Sequence, residues 1–388
     1  MDPEAYDRAI KLVQDYHDHV ERYDVEHERI ESDDMLGMMR VLMEARPRLI
    51  KGMDGLADGT DQPGSSSQRT STAGFRFWGR QGLSSVLGES KVSIAITPNG
   101  LADSVQYDEE TKKAYFAMPL TEKMTVNELF RKIDDQDDTD VCYLQSQNGN
   151  IWDRFKEEEE DDPPELSRFQ EYVLRGPRVM QKLGKEPDAV NLWVGTSKST
   201  TTLHKDPYDN LYQVLSGSKT FTLLSPIEGF LLNPTFYPTA TYERTPDSSL
   251  RLVPDPIPPS STLGGSRGVP WTTIDPTSLS SSDRASRALR PTTIVVREGG
   301  WSYLPANWWH HVQQAEGDEG ICVAVNHWYD APFRPDVYAM EQFILKALGR
   351  GDLAAADDDD DDSEGSEQGE GDDDEDTQSE QSCWSCNR

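Results

Sequence analysis

The sequence predicts a mainly-β fold, a sandwich or barrel of short strands with helices at both ends. Three observations point there. Apolar residues alternate in short runs from residue 91 to 328, the period-2 pattern of half-buried strands. Turn residues break these runs about every ten residues. Spacings of three and four, the helical signature, dominate only before residue 45 and after 334. No internal repeat is present.

In chain order, residues 4–31 read as an amphipathic helix: Ile10, Leu12, Val13, Tyr16, Val20 and Tyr23 recur at helical spacing, and Pro3 suits a first helical position. A second helix is predicted over 35–44, ending before Arg46-Pro47, with a short apolar segment at 48–52. Residues 53–75, rich in Gly, Ser, Thr and Asp, read as a surface insertion. Strands are predicted at 92–96, ending at the turn Pro98-Asn99-Gly100, and at 114–118 and 141–145. A charged loop follows at 156–165. Residues 189–224 are strand-dense, with turns at 205–210 and 216–218. The Pro-, Ser- and Arg-rich stretch 245–290 reads as a long excursion from the sheets. Strands resume at 292–297, 301–304 and 321–328, and a last helix is predicted over 334–349. The expected organisation is N-terminal helices (1–45), one β domain (46–350) carrying the insertions 53–75 and 245–290, and an acidic tail (351–388).

The chain has 388 residues, of which 35 % are hydrophobic, and a formal net charge of −32. Much of that charge is local. Residues 357–388 hold fifteen acidic residues and one Arg, so removing their −14 leaves −18 on the rest. Such a segment is too polar to offset its ordering entropy and is expected to be disordered, a solubilising tail or a docking arm for a basic protein. The net charge and scattered basic residues argue against direct nucleic-acid binding. No run of eighteen apolar residues is present, so no membrane span is expected, and Met1-Asp2-Pro3-Glu4 does not resemble a signal peptide. Four cysteines make no disulfide framework. Cys142 and Cys322, inside apolar runs, read as buried thiols of a reducing compartment, cytosol or nucleus. Cys383-Trp-Ser-Cys386 lacks the second ligand pair that a structural zinc site needs.

Histidine is scarce, at 17, 19, 27, 204, 310, 311 and 327. In His204-Lys205-Asp206, residues two apart on a strand face one side, so an imidazole and a carboxylate would project together. One more His would complete a two-His, one-carboxylate triad, the arrangement that leaves positions open on iron(II). His310 and His311 are both candidates, and the tripeptide alone also fits a surface salt bridge. His17-x-His19-x-Glu21 lies on a charged helical stretch and reads as solvated surface. Lys219 shares strand parity with Phe221 and Leu223, which places a cation on an apolar face. That is costly unless an anion pairs with it. Asn326 and Trp328 share one strand face, Val323 and Val325 the other, and an inward Asn needs hydrogen-bond partners.

Asn191-Leu-Trp-Val-Gly, Thr201-Thr-Leu-His204-Lys-Asp206, Asn210 to Lys219, Tyr303-Leu-Pro-Ala-Asn-Trp-Trp-His310-His-Val and Val325-Asn326-His-Trp328-Tyr together resemble the JmjC-type 2-oxoglutarate oxygenases of the cupin-like branch. Ile96 to Val105 and Pro238-Thr-Ala-Thr-Tyr242 extend the likeness toward the lysyl hydroxylases among them. It covers about residues 40–345. The resemblance implies a double-stranded β-helix (jelly-roll) with flanking helices. It implies iron(II) on His204, Asp206 and His310, the first of the two adjacent histidines. It implies Lys219, with the hydroxyls of Tyr143 and Thr201, on the distal carboxylate of 2-oxoglutarate. Asn210, Asn326 and Trp328 would line the pocket, and oxygen would be the second cosubstrate. Thr201 sits three residues from His204, so a bulge or turn must bring it to the same face. The implied reaction is carbon hydroxylation of a lysine side chain in a partner protein, giving succinate and CO2. Nε-methyl-lysine demethylation would use the same site, and a non-catalytic binding module with an acidic interaction tail is the other reading. A homodimer through the terminal helices is compatible with their apolar faces. The segments 53–75 and 245–290 and the acidic tail are larger than in the close relatives, and Pro207 follows Asp206.

Overall fold

Eight strands alternate between two facing sheets in the computed structural model of this chain. The structure describes residues 3–353 apart from 20–24, 26, 57–76, 136–138, 146, 148, 155–162, 257–267, 281, 283–285 and 333. The strands are β1 (Ala189–Gly195), β2 (Thr201–His204), β3 (Tyr208–Ser216), β4 (Ser218–Leu224), β5 (Thr292–Arg297), β6 (Trp301–Leu304), β7 (Trp309–Ala315) and β8 (Cys322–Asp330). One sheet contains the order β1-β8-β3-β6, and the other is β2-β7-β4-β5. All six pairings are antiparallel. Successive strands change sheet at every step but β4 to β5, which pair in the smaller sheet, and this is the double-stranded β-helix.

The alternation of side chains gives each sheet two buried faces. Trp193, Tyr212, Val214, Leu304 and Ala324 of the larger sheet meet Phe221, Leu223, Ile294 and Val296 of the smaller one between the layers. Tyr212 and Phe221 pack edge to face across that gap, ring centroids 5.3 Å apart. The outer face of the larger sheet is covered in two places. Helices α3 (Arg80–Leu87) and α4 (Val126–Asp134), with the strand Lys91–Thr97, cover Val190, Leu192, Val323 and Val325. Helices α2 (Met35–Glu44) and α5 (Arg178–Lys182) cover Leu211, Trp301 and Tyr303. Helix α1 (Pro3–His19) lays Ala9, Ile10 and Val13 against Leu203, Leu224, Leu231 and Leu289 behind the smaller sheet. Helix α6 (Pro335–Ala347) has no fully buried residue, and Met340 and Phe343 are exposed. No helix among the described residues is long and apolar enough to cross a membrane.

Several expectations are corrected. The first helix ends at His19, and His27–Arg29 form a strand parallel to Arg48–Lys51. Ile30 is fully buried there. The charged stretch after Tyr23 offers no apolar stripe to keep a helix docked, whereas the sheet edge satisfies its backbone. The excursion 245–290 contains the strands Leu250–Pro254 and Val269–Trp271. The predicted turn at 205–210 is shorter, because β3 begins at Tyr208. Residues 57–75 of the first insertion, 156–162 of the charged loop, and 354–388 of the tail, with Cys383 and Cys386, lie outside the described residues. Up to Leu353 the chain is tied to the body. Arg350 is buried and donates to the Asn233 side chain and the Pro234 carbonyl.

The turn Pro98-Asn99-Gly100 sets the approach to β2. Gly100 has φ +76°, and a Cβ there would meet the Lys198 carbonyl oxygen at 1.9 Å. Its own carbonyl accepts from Thr200 N at 3.0 Å. Gly100→Ala therefore forces the 98–100 turn and the 196–200 loop apart. The expected loss is at least about 1–3 kcal/mol, the range for a strained backbone position, checked by equilibrium urea unfolding.

Candidate metal and cosubstrate site

Strands β2 and β7 pair so that His204 faces His310 across the ladder. The register shifts between Thr201 and His204: Thr201 stands opposite Val312, so three residues of β2 span two of β7. This is a bulge, and it puts Thr201 on the face shared by Val312 and His310. Asp206 differs from expectation. It lies past the end of β2, in the short turn before β3, rather than on a strand. Its carbonyl accepts from Asn307 N at 2.8 Å, which ties this turn to the β6–β7 connection. The carboxylate still reaches both imidazoles, with His204 Nε2 3.8 Å from Oδ1 and His310 Nε2 3.5 Å from Oδ2. One ligand atom from each of the three residues lies within 4.8 Å of the others.

The two tautomers are set locally. His204 Nδ1 is 2.8 Å from the Thr202 carbonyl and His310 Nδ1 is 3.0 Å from the Trp308 carbonyl. A carbonyl only accepts, so both Nδ1 atoms carry a proton and both Nε2 atoms are turned toward Asp206. Burial, then the neighbouring His310, push His204 down to about 4 against the pull of Asp206, so it is neutral at pH 7. Burial pushes the Asp206 carboxyl up, but His204 and His310 outweigh it and hold the group below its ordinary value. Two imidazole nitrogens and one carboxylate thus converge. That donor set fits a divalent transition cation.

The other histidines point elsewhere. His311 is on the opposite face of β7, near Asp275. His17 is not solvated as expected: its Nε2 is 3.3 Å from Glu228 Oε1, and the pair is buried where α1 packs. His327 is fully buried behind β8, stacked on Trp301 and bonded through Nε2 to the Leu174 carbonyl. Burial pushes it down to about 4. The unfolded chain binds this proton near pH 6.5, so this group's stabilisation is complete above that pH and lost as pH falls toward 4. The loss is about 3 kcal/mol for a shift of this size. His327→Asn keeps a donor for Leu174 but does not titrate, and urea unfolding at pH 7 and pH 5 should show a shallower acid loss than wild type.

Deeper between the sheets, Lys219 is 2 % exposed. Its Nζ donates to Tyr143 Oη at 2.8 Å and lies over the Tyr143 and Tyr212 rings at 5.2 and 6.0 Å. Burial raises the pKa of both tyrosines and of Cys322 beside them, so all three are neutral. No carboxylate among the described residues pairs with Lys219. A buried cation without an anion is costly, so this end of the cavity fits a carboxylate.

Asn210, Asn326 and Trp328 sit on the inner face of the larger sheet. Asn326 is satisfied within the protein: its Oδ1 accepts from Trp193 Nε1 at 2.8 Å and its Nδ2 donates to Asn210 Oδ1 at 3.3 Å. Trp328 stacks on Tyr208, and its buried Nε1 has no partner. Sequence reasoning missed Trp271, whose ring stacks on His204 at 6.1 Å and 9° and whose Nε1 donates to Thr202 Oγ1. It arrives on the strand Val269–Trp271 of the excursion, and nothing local marks it. Gln145 and Asp103, joined at 3.4 Å, and Gln314 were missed as well.

A family model described as a cupin-like domain matches residues 70–335. The chain is 34 % identical to the lysine-specific demethylase JMJ32 of Arabidopsis thaliana over 262 residues, 65 % of this chain and 70 % of that protein. It belongs to the cupin-like JmjC family. It is also 33 % identical to the human bifunctional peptidase and (3S)-lysyl hydroxylase JMJD7, over 66 % of this chain and 73 % of that one. JmjC domain-containing protein E of Dictyostelium discoideum is 27 % identical over 67 % and 75 %. JmjC proteins of this family are iron- and 2-oxoglutarate-dependent oxygenases, and this chain is an enzyme of that class with the His-Asp-His triad.

Proposed function

We propose that this oxygenase hydroxylates a side-chain carbon of lysine in a partner protein. In this reading His204, Asp206 and His310 hold iron(II), and Lys219, Tyr143 and Thr201 bind the distal carboxylate of 2-oxoglutarate. The observation that carries it is Lys219, a buried cation without a counter-anion, facing the same interior as the triad. A hydrolase that used the metal alone, or a binding module, would have no use for that cation. When bound, iron(II), 2-oxoglutarate and O2 supply an oxidation that converts C–H to C–OH and releases succinate and CO2.

The chain's own residues do the rest. The Thr202 and Trp308 carbonyls hold the two imidazoles with Nε2 turned inward. The apolar layer of Phe221, Leu223, Ile294 and Val296 keeps water from the cosubstrate end. Asn326 locks Trp193 to Asn210 and so fixes the floor of the cavity. The names of the human and Arabidopsis relatives support lysine as the target, and a net charge of −32 suits a basic partner segment. Cys142 and Cys322, both buried and in no disulfide, support a reducing compartment, the cytosol or nucleus.

Anaerobic addition of iron(II) and 2-oxoglutarate should produce the metal-to-ligand charge-transfer band, and His204→Ala should lose it. Candidate lysine peptides should then gain the mass of one oxygen. Loss of methyl groups from Nε-methyl-lysine, with formaldehyde released, would instead select the demethylase reading. A folded, iron-loaded wild type without the band would overturn the oxygenase site.

A further inference from the structure

Gln314 is 7 % exposed, and neither its Oε1 nor its Nε2 has a hydrogen-bond partner among the described residues. A buried amide with both ends unpaired is rare in a folded protein and calls for a ligand or a solvent partner. Its place in the fold says which. Gln314 stands directly opposite Lys219 across the β4–β7 ladder, so the two side chains leave the sheet on one face as neighbours. That face also carries Val312 and His310, two and four residues back along β7. On the facing sheet Gly195 provides the room. A Cβ there would come within 2.6 Å of the Tyr143 ring and 2.7 Å of Gln314 Nε2. The Gln314 amide and the Tyr143 ring therefore close together over one glycine, beside the Lys219 ammonium.

We propose that Gln314 is a further binding residue for the distal carboxylate of 2-oxoglutarate, its Nε2–H donating to one carboxylate oxygen while Lys219 serves the other. This rests on the cosubstrate reading of the Lys219 pocket. Lys219 supplies charge, and Gln314 supplies direction. Its amide donor is fixed on a strand, whereas the ammonium can turn. A carboxylate offers about four acceptor positions, more than Lys219, Tyr143 and Thr201 fill with one donor each, and Gln314 fills a further one.

The test uses the full chain and 2-oxoglutarate itself. Wild type, Gln314→Leu and Gln314→Asn are titrated with 2-oxoglutarate in anaerobic iron(II) buffer through the charge-transfer band. The 2-oxoglutarate-induced rise in melting temperature is read in parallel on metal-free protein. Gln314→Leu should raise the 2-oxoglutarate Kd roughly 10–100-fold, the span of a hydrogen bond to a charged group. Its melting temperature without ligand should match or exceed that of wild type, because the unpaired amide is gone, and its ligand-induced rise should shrink. Iron(II) affinity should be unchanged. Gln314→Asn keeps the amide but withdraws it by one methylene, so it should also weaken binding. If the variants fold and bind 2-oxoglutarate within about twofold of wild type, less than a lost bond to charge produces, Gln314 is not a binding residue. A band absent from wild type itself would sink the cosubstrate reading, a separate outcome from a band equal in all three proteins.

Discussion

Asp206→Ala is expected to abolish both the charge-transfer band and turnover while the protein stays folded. The carboxylate is the anion between the two Nε2 atoms, 3.8 and 3.5 Å away. Changing a residue that merely orients a metal ligand costs about 10–100-fold, so removing the charged ligand should cost more than about 100-fold in iron affinity or rate. The fold should tolerate it. The Asp206 backbone bond from Asn307 remains, and the variant relieves the burial of a carboxylate. Circular dichroism and melting temperature check folding, and iron stoichiometry with the anaerobic band checks the site. His311→Ala is the matched control. It sits next to His310 but faces Asp275 on the far side of the sheet, so its band should equal that of wild type.

Lys219→Met should separate binding from stability in opposite directions. In the cosubstrate complex the variant removes one partner of a buried ion pair. Breaking such a pair costs about 3–5 kcal/mol, or roughly 100–4,000-fold in the 2-oxoglutarate Kd. In the free protein the same change removes a cation that has Tyr143, Tyr212, Cys322 and Gln314 beside it and no carboxylate partner among the described residues. The melting temperature without ligand should therefore hold or rise, a trade common at ligand sites. Iron(II) should still bind. Calorimetry or the band titration reads the first effect and differential scanning calorimetry the second. A Kd within tenfold of wild type would remove Lys219 from the cosubstrate site.

Much of the scaffold is legible in one dimension because strand alternation is local. The runs at 292–297 and 301–304 coincide with β5 and β6, and 35–44 with α2. Helix α4 was legible too: Thr125 and Glu128 form a capping box, a signal three residues long that a strand-centred reading passes over. The stretch 27–29 was misread because the apolar spacing stops at Tyr23 while the charges continue, and pairing with residues 49–51 decides the outcome.

For the site, the sequence by itself determined the donor set: scarce histidines, a His-x-Asp, and a lysine with the parity of core residues. Tertiary structure decided which of them meet. Parity could not choose between His310 and His311, and only the facing of β7 toward β3 and β8 selects His310. Thr201 reaches the inner face through a bulge, and Asp206 reaches the imidazoles from a turn held by Asn307. Trp271 and Gln314 carry no local mark at all, since a tryptophan in a long excursion and a glutamine on a strand resemble many others. Local sequence encodes period and propensity. A site assembled from strands about a hundred residues apart depends on ladder register and on the facing of two sheets, which long-range pairing alone establishes.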